Sequence, residues 1–592
     1  MHMAADSPVR RGLHSLSPSA LFVPVLTVFI VFLFAWPVVM LVLGAFRTSP
    51  PGLPGSWSPD AVTSVYTNPA TYETLKNSVV LSTSVQVLGI LAGFFFAWVV
   101  ARTNAPLRGL VTPMMLLIFA IPSLFFAISW GMLANDPAGI INKGLRAATG
   151  SGASFLDVYS WGGLIGVTAL RVTSVMYLLL LGPVFAMSRS LEEASMISGA
   201  GRLKTFFRIN IPVLLPALSG LAILGFVIGL GLLDVALVLG VPAGIYVFST
   251  EIYGYILSTT PARYDQASAL SLLLIALVVS LVLAQRRLLG GREFTTVTGR
   301  SYSQDRWDIG KWRWVCAGAI VGYGVLALVL PLVQLVLGSL QPVFGVYGRF
   351  TLANYQTLLS DPFVFQALLN TILVGVLGGF FATALAVTIS YVARRSRSRL
   401  RSIPEMAVWL VVALPGVILA LSVTWAYLSV PVVRQLYATV WMVMIALIVY
   451  VSPIAGRATA GSIAQIGPEL EESARVCGAS AARTVVGIVA RLITPSFLAA
   501  WFVTGVLAAG NLDVPILMSS PSNETVPVLV YNLYTQAGEP AQAATLLCMI
   551  LAVVAIGITA WGLARLALRF VRRALRPRRT EEAGAIKVGS HS

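Results

Sequence analysis

Two stretches of this 592-residue sequence place carboxylates, small residues and glycine at the same intervals. One runs from Leu191 to Pro212 (LEEASMISGAGRLKTFFRINIP), the other from Leu470 to Arg491 (LEESARVCGASAARTVVGIVAR). In the first, Glu192 precedes Glu193, Ala194 and Ser195, with Gly199 further on; in the second, Glu471 precedes Glu472, Ser473 and Ala474, with Gly478 further on. These residue types suit contact rather than catalysis. Acid in the first turn of a short helix meets the positive end of its dipole. Small residues let another chain come close, and glycine permits the turn that ends the helix. Pro212 fits the first turn of a following helix. A solvated charged loop would account for one such stretch, but not for two with the same spacing.

The sequence holds little else with reactive chemistry. Cys316, Cys477 and Cys548 lie far apart, and His2, His14 and His591 lie near the ends, so neither a disulfide framework, a metal cluster nor a catalytic set is expected. No G-x-x-x-x-G-K-[ST] run is present; Gly201-Arg202-Leu203-Lys204-Thr205 has the wrong spacing. No cofactor is therefore expected in this chain. The remaining acidic candidates are Asp234 and Asp513, each in a Leu-Asp-Val triplet, with Glu251 and Glu524 following. Ionisable groups at membrane depth are costly and mark pathways. Such a carboxylate pair either guides a cation along a translocation path or braces a gate loop at the water interface, and the second is the simpler reading.

The elements that must carry these residues are membrane helices. The chain is 57% hydrophobic and 11% charged, where soluble proteins carry about 25%. A bilayer core of roughly 30 Å needs about 20 apolar residues per helix. Twelve such runs are predicted, near 20–46, 77–101, 109–134, 161–187, 212–240 and 266–289, then 314–340, 368–393, 404–430, 436–457, 492–518 and 541–569. The Gly-rich 212–240 run is expected to contain re-entrant or broken backbone. Lys and Arg exceed Asp and Glu by 40 to 23, and the excess alternates between loops, from Arg10 and Arg11 through Arg394–Arg401 to the tail at Arg565–Arg579. That alternation puts both ends and both charged stretches in the cytoplasm. It also accounts for the net charge without nucleic acid.

The halves repeat. Asn77-Ser78 is matched by Asn370-Thr371, Ala120-Ile121-Pro122 with Trp130 by Ala413-Leu414-Pro415 with Trp425, and Leu233-Asp234-Val235 by Leu512-Asp513-Val514. The expected organisation is a first half over 1–290 with its charged loop at 188–212, a cytoplasmic linker over 291–313, and a second half over 314–592 with its charged loop at 467–491 and a basic tail.

With these residues in view, the two stretches resemble the EAA loop of ATP-binding-cassette (ABC) importer permeases: EAA, three residues, G, nine residues, then I-x-L-P. Glu193-Ala194-Ser195, Gly199 and Ile209-Asn210-Ile211-Pro212 match it. So do Glu472-Ser473-Ala474, Gly478 and Ile488, but Ala490-Arg491 stands where LP is expected, a departure expected to weaken the local turn. The whole chain resembles the fused double permeases. Leu239–Gly244, Ile252-Tyr253 and Phe294–Arg300 resemble the ferric-iron group. The resemblance implies an all-α membrane protein of the type I importer fold, two homologous six-helix halves, and a place in the bacterial inner membrane. It implies coupling roles for Glu192, Glu193, Ala194, Ser195, Gly199, Pro212, Glu471, Glu472, Ser473, Ala474 and Gly478, which would dock on a homodimer of cytoplasmic ATPases that hold ATP-Mg. It also implies a separate extracytoplasmic binding protein, since the longest outer loops, about 47–76 and 135–160, are too short to select a ligand. Ferric iron is the first choice of solute; thiamine, an aminophosphonate, a polyamine or an inorganic anion stay open. An ion-coupled secondary transporter would place ionisable residues deep in several spans and needs no charged island. A membrane scaffold or receptor would give no reason for two.

Overall fold

Proline and glycine decide where this helical chain bends. A computed structural model describes residues 18–150, 156–289, 307–396, 398–412 and 414–574. The Arg10–Arg11 pair, the linker up to residue 306 with its 294–300 motif, Ala413 and the tail beyond residue 574 lie outside the described residues. The first half runs through α1 (Leu21–Gly44), α2 (Pro69–Arg102), α3 (Arg108–Ala120), α4 (Ser123–Leu133), α5 (Trp161–Ala186), α6 (Arg189–Ile197), α7 (Phe206–Leu230), α8 (Phe248–Ser258) and α9 (Tyr264–Leu289). The second runs through α10 (Trp312–Ser339), α11 (Pro362–Arg395), α12 (Ile403–Val412), α13 (Gly416–Leu428), α14 (Val440–Ala464), α15 (Pro468–Val476), α16 (Ala482–Ala509), α17 (Val526–Thr535) and α18 (Pro540–Ala574). Among the described residues no strand forms, only two isolated bridges.

Nine helices are long and apolar enough to cross a bilayer among the described residues, and two bent pairs raise the count to eleven. The predicted run at 541–569 falls on the continuous helix α18. Two predicted single spans are broken instead. The 109–134 run is the pair α3 and α4, bent by 93°, and the 404–430 run is divided into α12 and α13. The cause is Pro122 and Pro415, because the residue before proline is pushed out of the helical region; Ile121 has φ −75 and ψ 129. The 212–240 run is broken where its helix ends at Leu230, and a separate 90° bend lies beyond it, between Ala236–Ala243 and Phe248–Ser258.

Matched residues start and tie the long helices. Asn68 caps α2 by accepting from Ala70 N–H at 3.0 Å, and Asp361 caps α11 by accepting from Phe363 N–H at 2.9 Å. Each cap is followed by a proline that has no first-turn N–H to satisfy. The repeated dipeptides then hold the helix that follows each bend. Asn77 Nδ2 donates to Tyr246 O at 3.0 Å and Ser78 Oγ accepts from Phe248 N–H at 2.8 Å. Asn370 Nδ2 donates to Glu524 O at 2.9 Å and Thr371 Oγ1 accepts from Val526 N–H at 2.8 Å.

The halves interlock through their first spans. α1 packs on α13 and α10 packs on α4, each at a glycine. A Cβ at Gly44 would lie 2.5 Å from the Trp425 ring, and one at Gly338 would lie 2.5 Å from Met132 Cε. Trp425 Nε1 donates to Ser268 Oγ at 2.8 Å, and Tyr427 Oη donates to Leu33 O at 3.0 Å. One hydrophobic core therefore runs through both halves. Of the GxxxG spacings, Gly225 and Gly229 pack on Gln86 and Ser82, Gly375 and Gly379 pack on Gly505, and Gly318 and Gly322 meet nothing.

Candidate coupling helices and a buried charge cluster

Each charged stretch folds as a short helix, a glycine turn and a return into the next span. In α6 the turn closes with Gly199 at φ +83, where Gly199 N–H donates to Met196 O and Ala200 N–H to Ser195 O. In α15 it closes with Gly478 at φ +82, where Gly478 N–H donates to Arg475 O and Ala479 N–H to Ala474 O. A side chain at either position would strain the left-handed backbone. Both stretches then pass through a π-turn, Phe206–Asn210 and Val485–Val489, into α7 and α16. Pro212 is the second residue after its π-turn, inside a continuous helix rather than at a fresh start. Arg491 occupies the matching place, so losing the LP ending leaves the path of the second stretch unchanged.

The two glutamates of each pair face opposite ways. Glu193 and Glu472 are exposed, whereas Glu192 and Glu471 are buried. Arg395 Nε lies 2.9 Å from Glu471 Oε1, and Tyr391 Oη donates to Glu471 Oε2 at 2.9 Å. Arg102 Nη1 lies 3.7 Å from Glu192 Oε1, and Arg102 Nη2 also donates to Val184 O and Met187 O at 3.0 and 2.6 Å. Arg102 and Arg395 end α2 and α11, so each anchor ties a short charged helix to the end of a long span. Sequence reading took both arginines for orientation signals.

Trp98 stands where the second half has Tyr391. Its ring packs edge-on against Phe206 at 4.9 Å and Trp307 at 5.6 Å. Trp307 N–H donates to Arg102 O at 2.9 Å, and Asn104 Nδ2 donates to Asp308 Oδ1 at 2.8 Å. The chain entering α10 is thereby fastened beside the end of α2 that anchors α6. Within that helix Ser195 Oγ lies 2.9 Å from Thr205 Oγ1. Ala474 has no hydroxyl for the matching contact, and Thr484 Oγ1 donates to Ser480 O at 3.1 Å instead.

Both helices present apolar side chains outward. Ile197 and Val476 are 87% and 89% exposed, and Leu191 and Leu470 are equally exposed at 48%. Exposed aliphatic groups at matched positions, rimmed by Glu193 and Glu472, have the composition of a protein contact.

The second feature lies where the halves meet. A Cβ on Gly231 would lie 2.4 Å from Pro415, and one on Gly510 would lie 2.7 Å from Pro122. The glycine ending α7 or α16 thus abuts the proline that breaks the bent span of the opposite half. Asp234 and Asp513 follow these glycines. Asp234 is buried; Ser123 Oγ donates to its Oδ2 and Val235 N–H to its Oδ1 at 3.0 Å. Asp513 is packed against Gly416, and its Oδ1 is buried without a hydrogen-bond partner among the described residues. Arg171, from within α5, has Asp234, Tyr450 and Asp513 as its electrostatic neighbours, and its Nε donates to Ile121 O at 3.2 Å. Tyr450 of α14 matches Arg171 of α5, so the cluster is pseudo-symmetric in position and asymmetric in charge. Arg171 was missed in the sequence, although a lone arginine inside an apolar run was the available signal. Glu251, on α8, is half-buried. Glu524 lies in the loop before α17, where Asn532 Nδ2 donates to its Oε1 at 3.3 Å and burial raises its carboxyl above the ordinary range. Asp234 and Asp513 thus share Arg171 as an electrostatic neighbour, with no ion pair from Arg171 to either within 4.0 Å among the described residues. Among the described residues no three His, Cys, Asp or Glu side chains gather as a metal site.

Comparison with known proteins matches the family described as binding-protein-dependent transport system inner membrane component, once over residues 89–289 and again over 375–573. A putative ferric transport system permease of Haemophilus influenzae is 25% identical over 81% of this chain and 74% of its own length. The ferric transport system permease of Actinobacillus pleuropneumoniae is 24% identical over 85% of this chain and 72% of its own. A putative 2-aminoethylphosphonate transport system permease of Salmonella paratyphi A is 25% identical over 38% of this chain and 84% of its own length.

Proposed function

The chain belongs to the binding-protein-dependent transport system inner membrane components, and we propose that it carries ferric iron from an extracytoplasmic binding protein into the cytoplasm. It is a multi-pass permease subunit of an ABC importer, not an enzyme. The observation that carries the mechanism is the pair of anchored helices, each with a buried glutamate facing its own span and an exposed aliphatic tip facing out. On this reading both tips dock on a cytoplasmic ATPase homodimer that holds ATP-Mg. Closure of that dimer pulls α6 and α15, and the anchors pass the pull to α2 and α11. The Gly231–Pro415 and Gly510–Pro122 contacts then part, opening the path between the halves.

The charge cluster gives the path its sign. Two aspartates facing one arginine leave a net negative site when all are ionised. A cation passing the gate replaces the guanidinium as counter-ion of Asp234 and Asp513, and Arg171 restores the balance after it leaves. With no three-ligand group to hold the ion among the described residues, selection on this reading falls to the binding protein. The names of the two ferric relatives support iron. The relative named for 2-aminoethylphosphonate supplies a second reading, with Arg171 receiving the phosphonate. Reconstitution of the full chain in proteoliposomes, with its ATPase and binding protein, tests the choice. ATP-dependent uptake of radiolabelled ferric iron is expected, reduced at least about tenfold in Asp234→Asn/Asp513→Asn. Uptake of the phosphonate and not of iron would overturn the iron reading; full iron uptake in the double variant would remove the cluster from the path.

A further inference from the structure

The halves align residue by residue along α5 and α14, from their first residues Trp161 and Val440 to the first residues of the coupling helices, Arg189 and Pro468. In this register Tyr177 is matched by Gly456 and Leu178 by Arg457. Aligned on Pro122 and Pro415, Thr112 of α3 is matched by Glu405 of α12. In the first half the Tyr177 ring is fully buried, with its hydroxyl 2.6 Å from Thr112 Oγ1. In the second half the matching space is a cavity of about 90 Å³ whose walls include Ala386, Ser390, Glu405, Trp409, Gly456 and Arg457. A Cβ on Gly456 would meet nothing within 4 Å. The cavity therefore coincides with the loss of one aromatic ring, and charges of both signs stand on its wall.

Those charges are arranged to receive a ligand. The Arg457 guanidinium lies 5.0 Å above the Trp409 ring, which fixes it without using its N–H donors. Glu405 lines the same cavity, and among the described residues no ion pair joins it to Arg457. A guanidinium fork is suited to phosphate-like oxygens, and a carboxylate accepts from a primary ammonium. We propose that this cavity binds a small zwitterionic group, with its phosphate or phosphonate oxygens on Arg457 and its ammonium on Glu405. Two sources carry that chemistry: the headgroup of an aminophospholipid in the surrounding bilayer, and a free amino-phosphate or amino-phosphonate solute. The site occurs in the second half only, because Tyr177 fills its place in the first. It does not depend on which solute is carried.

The test uses the full chain in phosphatidylcholine nanodiscs. Phosphatidylethanolamine or phosphatidylglycerol is exchanged in, with lipid retention read by native mass spectrometry. Free phosphoethanolamine is titrated separately by calorimetry. Preferential retention of phosphatidylethanolamine identifies the lipid source, and saturable binding of phosphoethanolamine identifies the solute source; either supports the site. Gly456→Phe, which refills the cavity, and Glu405→Gln are each expected to weaken that binding roughly tenfold or more. Gly456→Ala, entering open space, is the folding control and should retain most of it. Binding of neither probe, retention of phosphatidylglycerol equal to that of phosphatidylethanolamine without saturable binding of phosphoethanolamine, or undiminished binding in both Gly456→Phe and Glu405→Gln overturns the proposal.

Discussion

The two short charged helices α6 and α15 share their backbone path, their glycine turn and their outward tips, yet they are anchored differently. Glu471 sits in a closed site, 2.9 Å from Arg395 and 2.9 Å from Tyr391. Glu192 is 3.7 Å from Arg102, whose other nitrogen also serves two carbonyls of the preceding span. The place of Tyr391 is taken by Trp98, which packs on Phe206 and Trp307. The second half secures its short helix with a hydrogen bond from Tyr391; at the matching place the first half has Trp98, which makes an aromatic contact with the chain leading into the second half. The two halves keep the same short helix and differ in its fastening, and in the first half the fastening also holds the chain that enters α10.

Removing the arginines separates the two fastenings most strongly. Taking one partner from a buried pair costs about 3–5 kcal/mol. Arg395→Ala strands Glu471 with Tyr391 alone, so it is expected near that cost and to abolish ATP-driven uptake. Arg102→Ala breaks a longer pair and leaves the Trp98 packing intact, so its cost should be smaller by about 1 kcal/mol or more. Thermal unfolding in detergent and uptake by proteoliposomes report both. Equal losses in the two variants would remove the difference in anchoring.

The tips are expected to behave alike. Burying an Ile or Val side chain on docking contributes about 1.5–3 kcal/mol. Ile197→Asp and Val476→Asp should therefore each weaken association with the ATPase about tenfold or more, with unchanged melting of the permease alone. A pull-down titration distinguishes a symmetric partner from one that relies on a single helix: a large loss at only one tip would contradict docking on two identical ATPases.

A smaller and equal effect is expected at the turns. Gly199→Ala and Gly478→Ala each place a Cβ on left-handed backbone with open space around it, so only conformational strain acts, about 1–2 kcal/mol per site. Each should lower the coupled ATPase rate modestly, and the double variant should be additive. A marked synergy would mean that the two turns move as one unit.

Much of this was legible in the chain. Composition and apolar run length gave the helical membrane fold, and matched spacing exposed the repeat, the two short charged helices and the glycines that end them. The repeated Asn-Ser and Asn-Thr dipeptides marked the ties that hold α8 and α17. The breaks at Pro122 and Pro415 were within reach, since proline constrains its predecessor, but the apolar runs continue through both and read as single spans. Which glutamate of each pair turns inward was not legible, because adjacent helical residues point about 100° apart and only packing chooses between them. Arg171 was hidden differently: one charge scarcely alters an apolar window, and its partners lie elsewhere in the sequence. Gly456 gave no sign of a cavity until Tyr177 showed what fills the same place.

The smallest expected effect concerns the ending that the two stretches do not share. The sequence contrast between Ile211-Pro212 and Ala490-Arg491 suggested a weaker second turn, but both positions follow a π-turn of the same length and lie inside a continuous span. The backbone around Pro212 already accepts a missing N–H and a fixed φ, and residue 491 has the same setting with an exposed side chain. Arg491→Pro should therefore change stability by no more than about 0.5 kcal/mol and leave uptake at the wild-type level, whereas an ordinary helix-interior proline costs about 3 kcal/mol. Melting of that variant decides between the two. A loss near the larger value would show that the second stretch needs the donor the first has lost, and that the shared π-turn does not make the two endings equivalent.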